Sequence, residues 1–135
     1  MATRLNPYIS FGDNAREALT FYQQVLGGTL ELHTFGEYGA TEEPLAGLVM
    51  HGLLETDDGL SLMAADTPPG MTRTPGNTIT VSLSGDDADQ LRARFAGLAE
   101  GGTVGTPLEK QMWGDEFGQL TDRFGIGWLV NISGT

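Results

Sequence analysis

The sequence predicts an α+β fold made of one βαβββ unit used twice, and three observations carry that prediction. Gly12-Asp13-Asn14-Ala15 opens a helical stretch that closes at Gly27-Gly28-Thr29-Leu30, and Gly85-Asp86-Asp87-Ala88 opens another that closes at Gly101-Gly102-Thr103-Val104. The copies lie 73 residues apart at the start and 74 at the end, so they differ by one residue. Each is preceded by a β-rich run, Tyr8 to Phe11 and Thr78 to Leu83. A repeat of this size places a binding site where the two copies meet.

In the first copy, Leu5 to Phe11 reads as a strand ending at the turn former Gly12. Asp13 or Asn14 is placed to cap the next helix, with Glu17 three residues after Asn14 as in a capping box. Ala15, Ala18, Leu19, Tyr22, Val25 and Leu26 recur at the spacing of one buried helix face, and Gly27-Gly28 stops it. Thr29 to Phe35 alternates as a second strand. Gly36 to Gly47 is long for a plain connection and is therefore either mobile or functional. Leu48 to Thr56 and Leu60 to Ala65 flank Asp57-Asp58-Gly59, a tight hairpin turn. Asp66 to Gly76 is rich in proline and glycine.

The second copy repeats the plan. Thr78 to Ser84 is a strand, and Asp86 or Asp87 caps a helix whose apolar face is Ala88, Leu91, Phe95, Leu98 and Ala99. Gly97 weakens that helix by roughly 1 kcal/mol relative to alanine. Thr103 to Leu108 is an edge strand, given Pro107. Gly118 to Asp122 and Ile126 to Ile132 form a closing hairpin around Arg123-Phe124-Gly125. Module one therefore spans about 4–66, the linker about 67–76 and module two about 77–133, all within a single domain of 1–135.

Composition narrows the function classes. A net charge of −11 over 135 residues argues against nucleic-acid backbones and anionic membranes as partners, since both select basic surfaces. The absence of cysteine removes thiol nucleophiles, disulfides and thiolate metal sites. No apolar run approaches membrane-spanning length and Met1 to Ser10 lacks a signal-like core, so a cytoplasmic location is expected.

Specific residues then point to a family. Asn6-Pro7-Tyr8 leads the first strand, Ala18 with Phe21-Tyr22 and Gly27-Gly28 surrounds the first helix, and Val49-Met50-His51 lies in the third strand. Asp66, Trp113-Gly114-Asp115 with Phe117-Gly118, and Asp122 with Phe124-Gly125 and Trp128 complete the set. In order and spacing these resemble the vicinal oxygen chelate superfamily (glyoxalase, bleomycin-resistance and dioxygenase proteins), and within it the PhnB-like branch. The resemblance covers about Leu5 to Asn131. It implies tandem modules forming a curled mixed sheet around a cavity, with the helices outside, and a chain that pairs as a homodimer.

The resemblance does not transfer a reaction, because one fold hosts many chemistries. Metal enzymes of the superfamily take His, Gln or Glu ligands from the first and last strands of each module. Here those strands offer Asn6, Tyr8 and Ser10; Ser61, Met63 and Asp66; Asn77, Thr78, Thr80 and Ser82; Trp128 and Asn131. A divalent transition metal wants imidazole or carboxylate donors, so no resident metal or other cofactor is expected; a weakly held divalent ion is the alternative. No glycine-rich strand-to-helix turn with a downstream acid marks a methyl-donor site.

Two readings stay open for each remaining candidate. His51 is either a hydrogen-bonded histidine sharing a strand face with Val49, Leu53 and Glu55, or a cavity-lining acid/base or ligand donor. His33 is expected on a solvated face. Trp113 either plugs the core while Asp115 caps a turn, or forms with Asp115 and Phe117 a rim that stacks a planar or cationic ligand. Tyr8, Tyr22 and Trp128 are expected in the core, with Tyr8 also a ligand-binding candidate. Asp66 is a turn former or a carboxylate facing the cavity. The expected function is metal-independent small-molecule binding through Tyr8, His51, Trp113, Asp115 and Phe117. The alternative is a lyase, isomerase or dioxygenase using His51 with Asp66 or Asp115, with or without a weakly bound divalent metal.

Overall fold

The strand signals of each half settle into a four-stranded sheet of their own. The structure, a computed structural model, describes residues 3–134 and runs β1 (Tyr8–Phe11), α1 (Ala15–Leu26), β2 (Thr29–Thr34), β3 (Val49–Glu55), β4 (Ser61–Asp66), β5 (Val81–Gly85), α2 (Ala88–Ala99), β6 (Thr103–Lys110), β7 (Glu116–Thr121) and β8 (Gly127–Ile132). The strand order is β1-β4-β3-β2 in one sheet and β5-β8-β7-β6 in the other, so the βαβββ unit is indeed used twice. The mixed sheet expected from the sequence takes the form of two sheets, one per module. In each, the first strand pairs parallel with the last and the other pairs are antiparallel. The chain divides into two compact units, with Thr74 closing the first and Pro75 opening the second.

Within the first unit, α1 packs Ala15, Ala18, Leu19, Phe21, Tyr22 and Leu26 against one face of the sheet. Leu54, Leu62 and Ala64 are the buried strand residues that meet it. Gly52 lets the helix approach: a Cβ there would lie 2.4 Å from Leu19 Cδ1. The second unit repeats this arrangement, with Leu91, Phe95 and Leu98 of α2 over Leu83, Leu120, Trp128 and Val130. Gly118 takes the place of Gly52, its missing Cβ leaving room for Phe95 Cε2 at 2.9 Å.

The Gly-Gly-Thr signature has one physical basis in both copies. The first glycine of each pair, Gly27 and Gly101, has a positive φ of 80° and 78°, which favours glycine and lets the chain leave the helix. The second packs directly on a strand carbonyl. A Cβ on Gly28 or Gly102 would lie 2.2 Å from the oxygen of Glu55 or Thr121. The closing hairpins match as well. Thr56 N and Asp122 N each donate to the carbonyl of the residue four positions on, and in both turns their side-chain oxygen accepts that residue's amide in return (Leu60 at 2.9 Å, Ile126 at 3.1 Å).

Several boundaries differ from expectation. β1 starts at Tyr8 rather than Leu5, because Pro7 has no amide hydrogen to extend the ladder. β5 starts at Val81 rather than Thr78, because its parallel partner β8 is joined through the Val81–Trp128 pair and begins only at Gly127. Asn6, Asn77, Thr78 and Thr80 therefore lie outside the strands. β6 is an edge strand as expected but runs to Lys110, with two register shifts. The loop from Gly36 to Gly47 holds two 3-10 turns, tied by Glu37 accepting from Thr34 N at 2.6 Å and Glu43 accepting from Gly47 N at 3.2 Å.

Two one-residue differences separate the copies and offset each other: Glu100 is extra between α2 and Gly101, and the strand-to-helix turn is one residue shorter in the second copy. Thr67 N donates to Phe11 O and Ser133 N to Gly85 O, so Gly85 corresponds to Phe11 and not to Gly12. The second turn is the shorter, and Asp87 caps α2 locally by accepting from Gln90 N at 3.1 Å. The first turn is not capped by Asp13, Asn14 or Glu17. Asn14 precedes the helix without a side-chain hydrogen bond, and Asp66 from the end of β4 accepts Ala15 N at 2.8 Å instead. In the second unit the position of Asp66 is held by the buried, apolar Ile132.

Candidate functional site

Strand alternation sends one set of side chains under each helix and the other set to the opposite face. In the first unit, Gly52, Leu32 and Ala64 lie on the helix side. The opposite face therefore carries Tyr8 and Ser10 of β1, Met63 and Ala65 of β4, His51 and Leu53 of β3, and Glu31 and His33 of β2. His51 and His33 are direct cross-strand partners. His33, expected on a solvated face, shares its face with His51, and both are only partly exposed. Val49, expected beside His51, is buried at 1% exposure, because the ladder shifts register between His33 and Thr34.

Tyr8 is half exposed rather than in the core. Its Oη lies 3.4 Å from His51 Nδ1, and the two rings are 5.8 Å apart. His33 Nδ1 lies 3.6 Å from Glu37 Oε1, and the Tyr38 ring meets His33 edge-on at 6.3 Å. Glu37 titrates below the ordinary glutamate value, chiefly because Thr34 N donates to it and secondarily because of His33.

Asp66 does not join this group. It is 6% exposed, and its two carboxylate oxygens accept Ala15 N and Val49 N, each at 2.8 Å. It sits on the helix side, opposite to His51. A carboxylate held by two backbone amides at a helix start is well placed to stabilise the fold through hydrogen bonding and the helix dipole.

In the second unit the helix-free face holds Ser82, Ser84, Leu129, Asn131, Phe117 and Gln119. Phe117 occupies the position of the repeat that His51 holds in the first unit. The β6–β7 turn places Trp113 and Asp115 next to it, closed by Gln111 N donating to Asp115 O at 2.7 Å. Trp113 is 61% exposed, so it does not plug the core, and its ring stands 6.4 Å from Phe117 at an interplanar angle of 63°. Asp115 accepts from Asn131 Nδ2 at 3.0 Å and from Gly134 N at 2.8 Å. The Asn131 bond, then the Gly134 bond, hold its carboxyl below the ordinary aspartate range despite some desolvation. Glu116 turns to the helix side and pairs with Arg92 at 2.6 Å.

Trp128 and Tyr22 are core residues, as expected, at 1% and 0% exposure. Trp128 Nε1 donates to Asp122 Oδ2 at 2.9 Å, and Asp122 Oδ1 also accepts Phe124 N and Ile126 N. Asp122 is thus the fastener of the closing hairpin. Sequence reasoning noted it only as part of a pattern.

The positions at which the superfamily's metal enzymes carry ligands can be tested against this geometry. On the helix-free faces, β1 and β4 present a phenol, hydroxyls and a thioether, while β5 and β8 present hydroxyls and one amide. That donor set does not fit a resident divalent transition metal. Among the described residues, no three His, Asp or Glu side chains gather into a metal-binding group, and no helix is long and apolar enough to cross a membrane.

Comparison with known proteins agrees with this architecture. Protein YjdN of Escherichia coli (strain K12) is 28% identical over 140 residues, covering 95% of this chain and 94% of that protein. The crystal structure of protein PA1353 from Pseudomonas aeruginosa is 36% identical, covers 98% of both chains and superposes with a TM-score of 0.87. A PhnB protein from Bacillus cereus shares the fold at a TM-score of 0.72 and 20% identity, over 97% of this chain and 100% of that one. The family model described as "Glyoxalase/Bleomycin resistance protein/Dioxygenase superfamily" matches residues 4–130, and the chain belongs to that superfamily.

Proposed function

We propose that this protein binds a planar, aromatic or cationic small molecule without a metal, at the Trp113–Asp115–Phe117 cluster of the second module. The observation that carries this reading is an exposed indole beside a second aromatic ring and a carboxylate kept ionised by its hydrogen bonds. A cation over an indole face gains about 0.5–2 kcal/mol, more where water is excluded, and the adjacent carboxylate adds charge complementarity. The negative charge of the whole chain favours the same class of ligand. A thermal-shift screen of planar and cationic compounds is expected to find a stabilising ligand. Trp113→Ala should abolish that shift; an unchanged shift would remove the site.

A second reading is an enzyme of the lyase, isomerase or dioxygenase type centred on His51. It is favoured by the contact of His51 with the Tyr8 hydroxyl on the corresponding face of the first module. A turnover that survives His51→Gln would eliminate it. Either reading is compatible with a homodimer, and the exposed side chains of Leu5, Met71 and Ile79 offer apolar surface for pairing. A monomer mass in solution at micromolar concentration would refute the dimer.

A further inference from the structure

We propose that His33 and His51 together form a divalent transition-metal site on the helix-free face of the first module, outside the strands on which the superfamily's metal enzymes place their ligands. The two residues are direct partners across β2 and β3. Directly opposed residues of an antiparallel pair have Cβ atoms about 4.5–5.5 Å apart. That spacing allows two imidazoles to reach one ion at about 2.0–2.1 Å from each nitrogen. The register shift falls immediately after His33, and bulges of this kind re-aim side chains next to functional sites.

The ring partners add a second, independent observation. His33 Nδ1 faces the Glu37 carboxylate at 3.6 Å, and His51 Nδ1 faces the Tyr8 hydroxyl at 3.4 Å. Glu37 is fixed in turn by Thr34 N at 2.6 Å. A carboxylate on Nδ1 holds the ring proton there and leaves Nε2 as a free lone pair, the usual arrangement behind a metal-binding histidine. His33 thus keeps Nε2 for an ion, and His51 does so in the tautomer whose Nδ1–H donates to the Tyr8 hydroxyl; the His33 side chain is 40% exposed, so an ion can enter. No third His, Asp or Glu completes the group among the described residues. The site is therefore an open one, with its remaining positions left to water or to an oxygen or nitrogen of a bound molecule. Imidazole donors without thiolate suit Cu²⁺, Ni²⁺ and Zn²⁺, with Cu²⁺ held most tightly.

The test uses tag-free full-length protein titrated with Cu²⁺ and Zn²⁺ alone, followed by calorimetry and by Cu²⁺ electron paramagnetic resonance. One equivalent is expected to bind, with hyperfine coupling from two imidazole nitrogens. His33→Gln and His51→Gln should each weaken binding more than about tenfold and reduce the coupling to one nitrogen. Glu37→Gln and Tyr8→Phe keep both ligands but lose the groups that orient them, and should weaken binding by about 10–100-fold. Circular dichroism checks that each variant is folded. Wild-type affinity in both histidine variants, fewer than two coupled nitrogens in the wild type, or a Kd weaker than about 1 mM would each overturn the site. Trp113→Ala should leave metal binding unchanged, so this site stands or falls separately from the ligand cluster of the second module.

Discussion

Replacing Asp66 separates its structural role from any chemical one. Its two oxygens accept the amides of Ala15 and Val49 at 2.8 Å in a site 6% exposed. Asp66→Ala leaves two buried donors without a partner. Each such donor costs about 1–3 kcal/mol, so the pair costs about 2–6 kcal/mol. A water entering the space of the lost carboxylate would restore one of them and bring the loss to the lower half of that range. Asp66→Asn keeps one acceptor but turns an amide donor toward the second N–H, and about 1–3 kcal/mol is expected. Asp87→Ala, the local cap of the second module, should cost less, about 0.5–2 kcal/mol. Urea unfolding followed by circular dichroism gives these differences from the midpoints, provided the slope is unchanged. Hydrogen exchange at Ala15 and Val49 should accelerate selectively. An Asp66→Ala protein within about 1 kcal/mol of wild type, or with unchanged exchange at both amides, would refute the assignment.

Three further outcomes follow from the same geometry. Gly102→Ala drives a methyl to 2.2 Å from the Thr121 carbonyl, and overpacking of this kind costs about 1–3 kcal/mol. Gly28→Ala meets Glu55 in the same way but also has φ of 95°, so its urea midpoint should fall further than that of Gly102→Ala; the reverse order would be wrong for this packing. Asp122→Ala removes the acceptor for Trp128 Nε1, Phe124 N and Ile126 N. With about 1–3 kcal/mol for the buried indole N–H and about 0.5–1.5 for each part-buried amide, it should destabilise by about 2–6 kcal/mol and shift the Trp128 indole proton resonance; retention of both midpoint and resonance counts against the fastener. Asp115 titrates below its ordinary value of 3.8 because of Asn131 first and Gly134 second. A depressed carboxylate stabilises the fold above its unfolded value, and that contribution is lost as pH falls through the folded value, here below 3.8. Asn131→Ala should move the Asp115 titration seen by NMR back toward 3.8, and an unmoved titration would show that Asn131 is not the cause.

The sequence alone determined the repeat. Glycine pairs that end helices, turn-forming Asp-Gly steps and apolar residues at helical or alternating spacing act through local sterics and burial, and such signals are readable without knowing any partner strand. Both helices accordingly run as the apolar spacing predicts. Gly28 and Gly102 are legible as a pattern, although the carbonyl each packs against is not. What only the tertiary structure decided is every contact between residues distant in the chain. Asn14 and Glu17 looked like the cap of α1, yet Asp66 took that role from 51 residues away, because β4 ends beside the helix start and its carboxylate is buried there. Trp113 and Trp128 are the same residue type, but the first is 61% exposed and the second 1%. His33 looked merely solvated, and only strand register set it opposite His51. Register is fixed by packing summed over whole strands, and a shift of one residue sends every side chain to the other face. The sequence therefore carried the scaffold, while the faces that carry the chemistry were decided only when the strands paired.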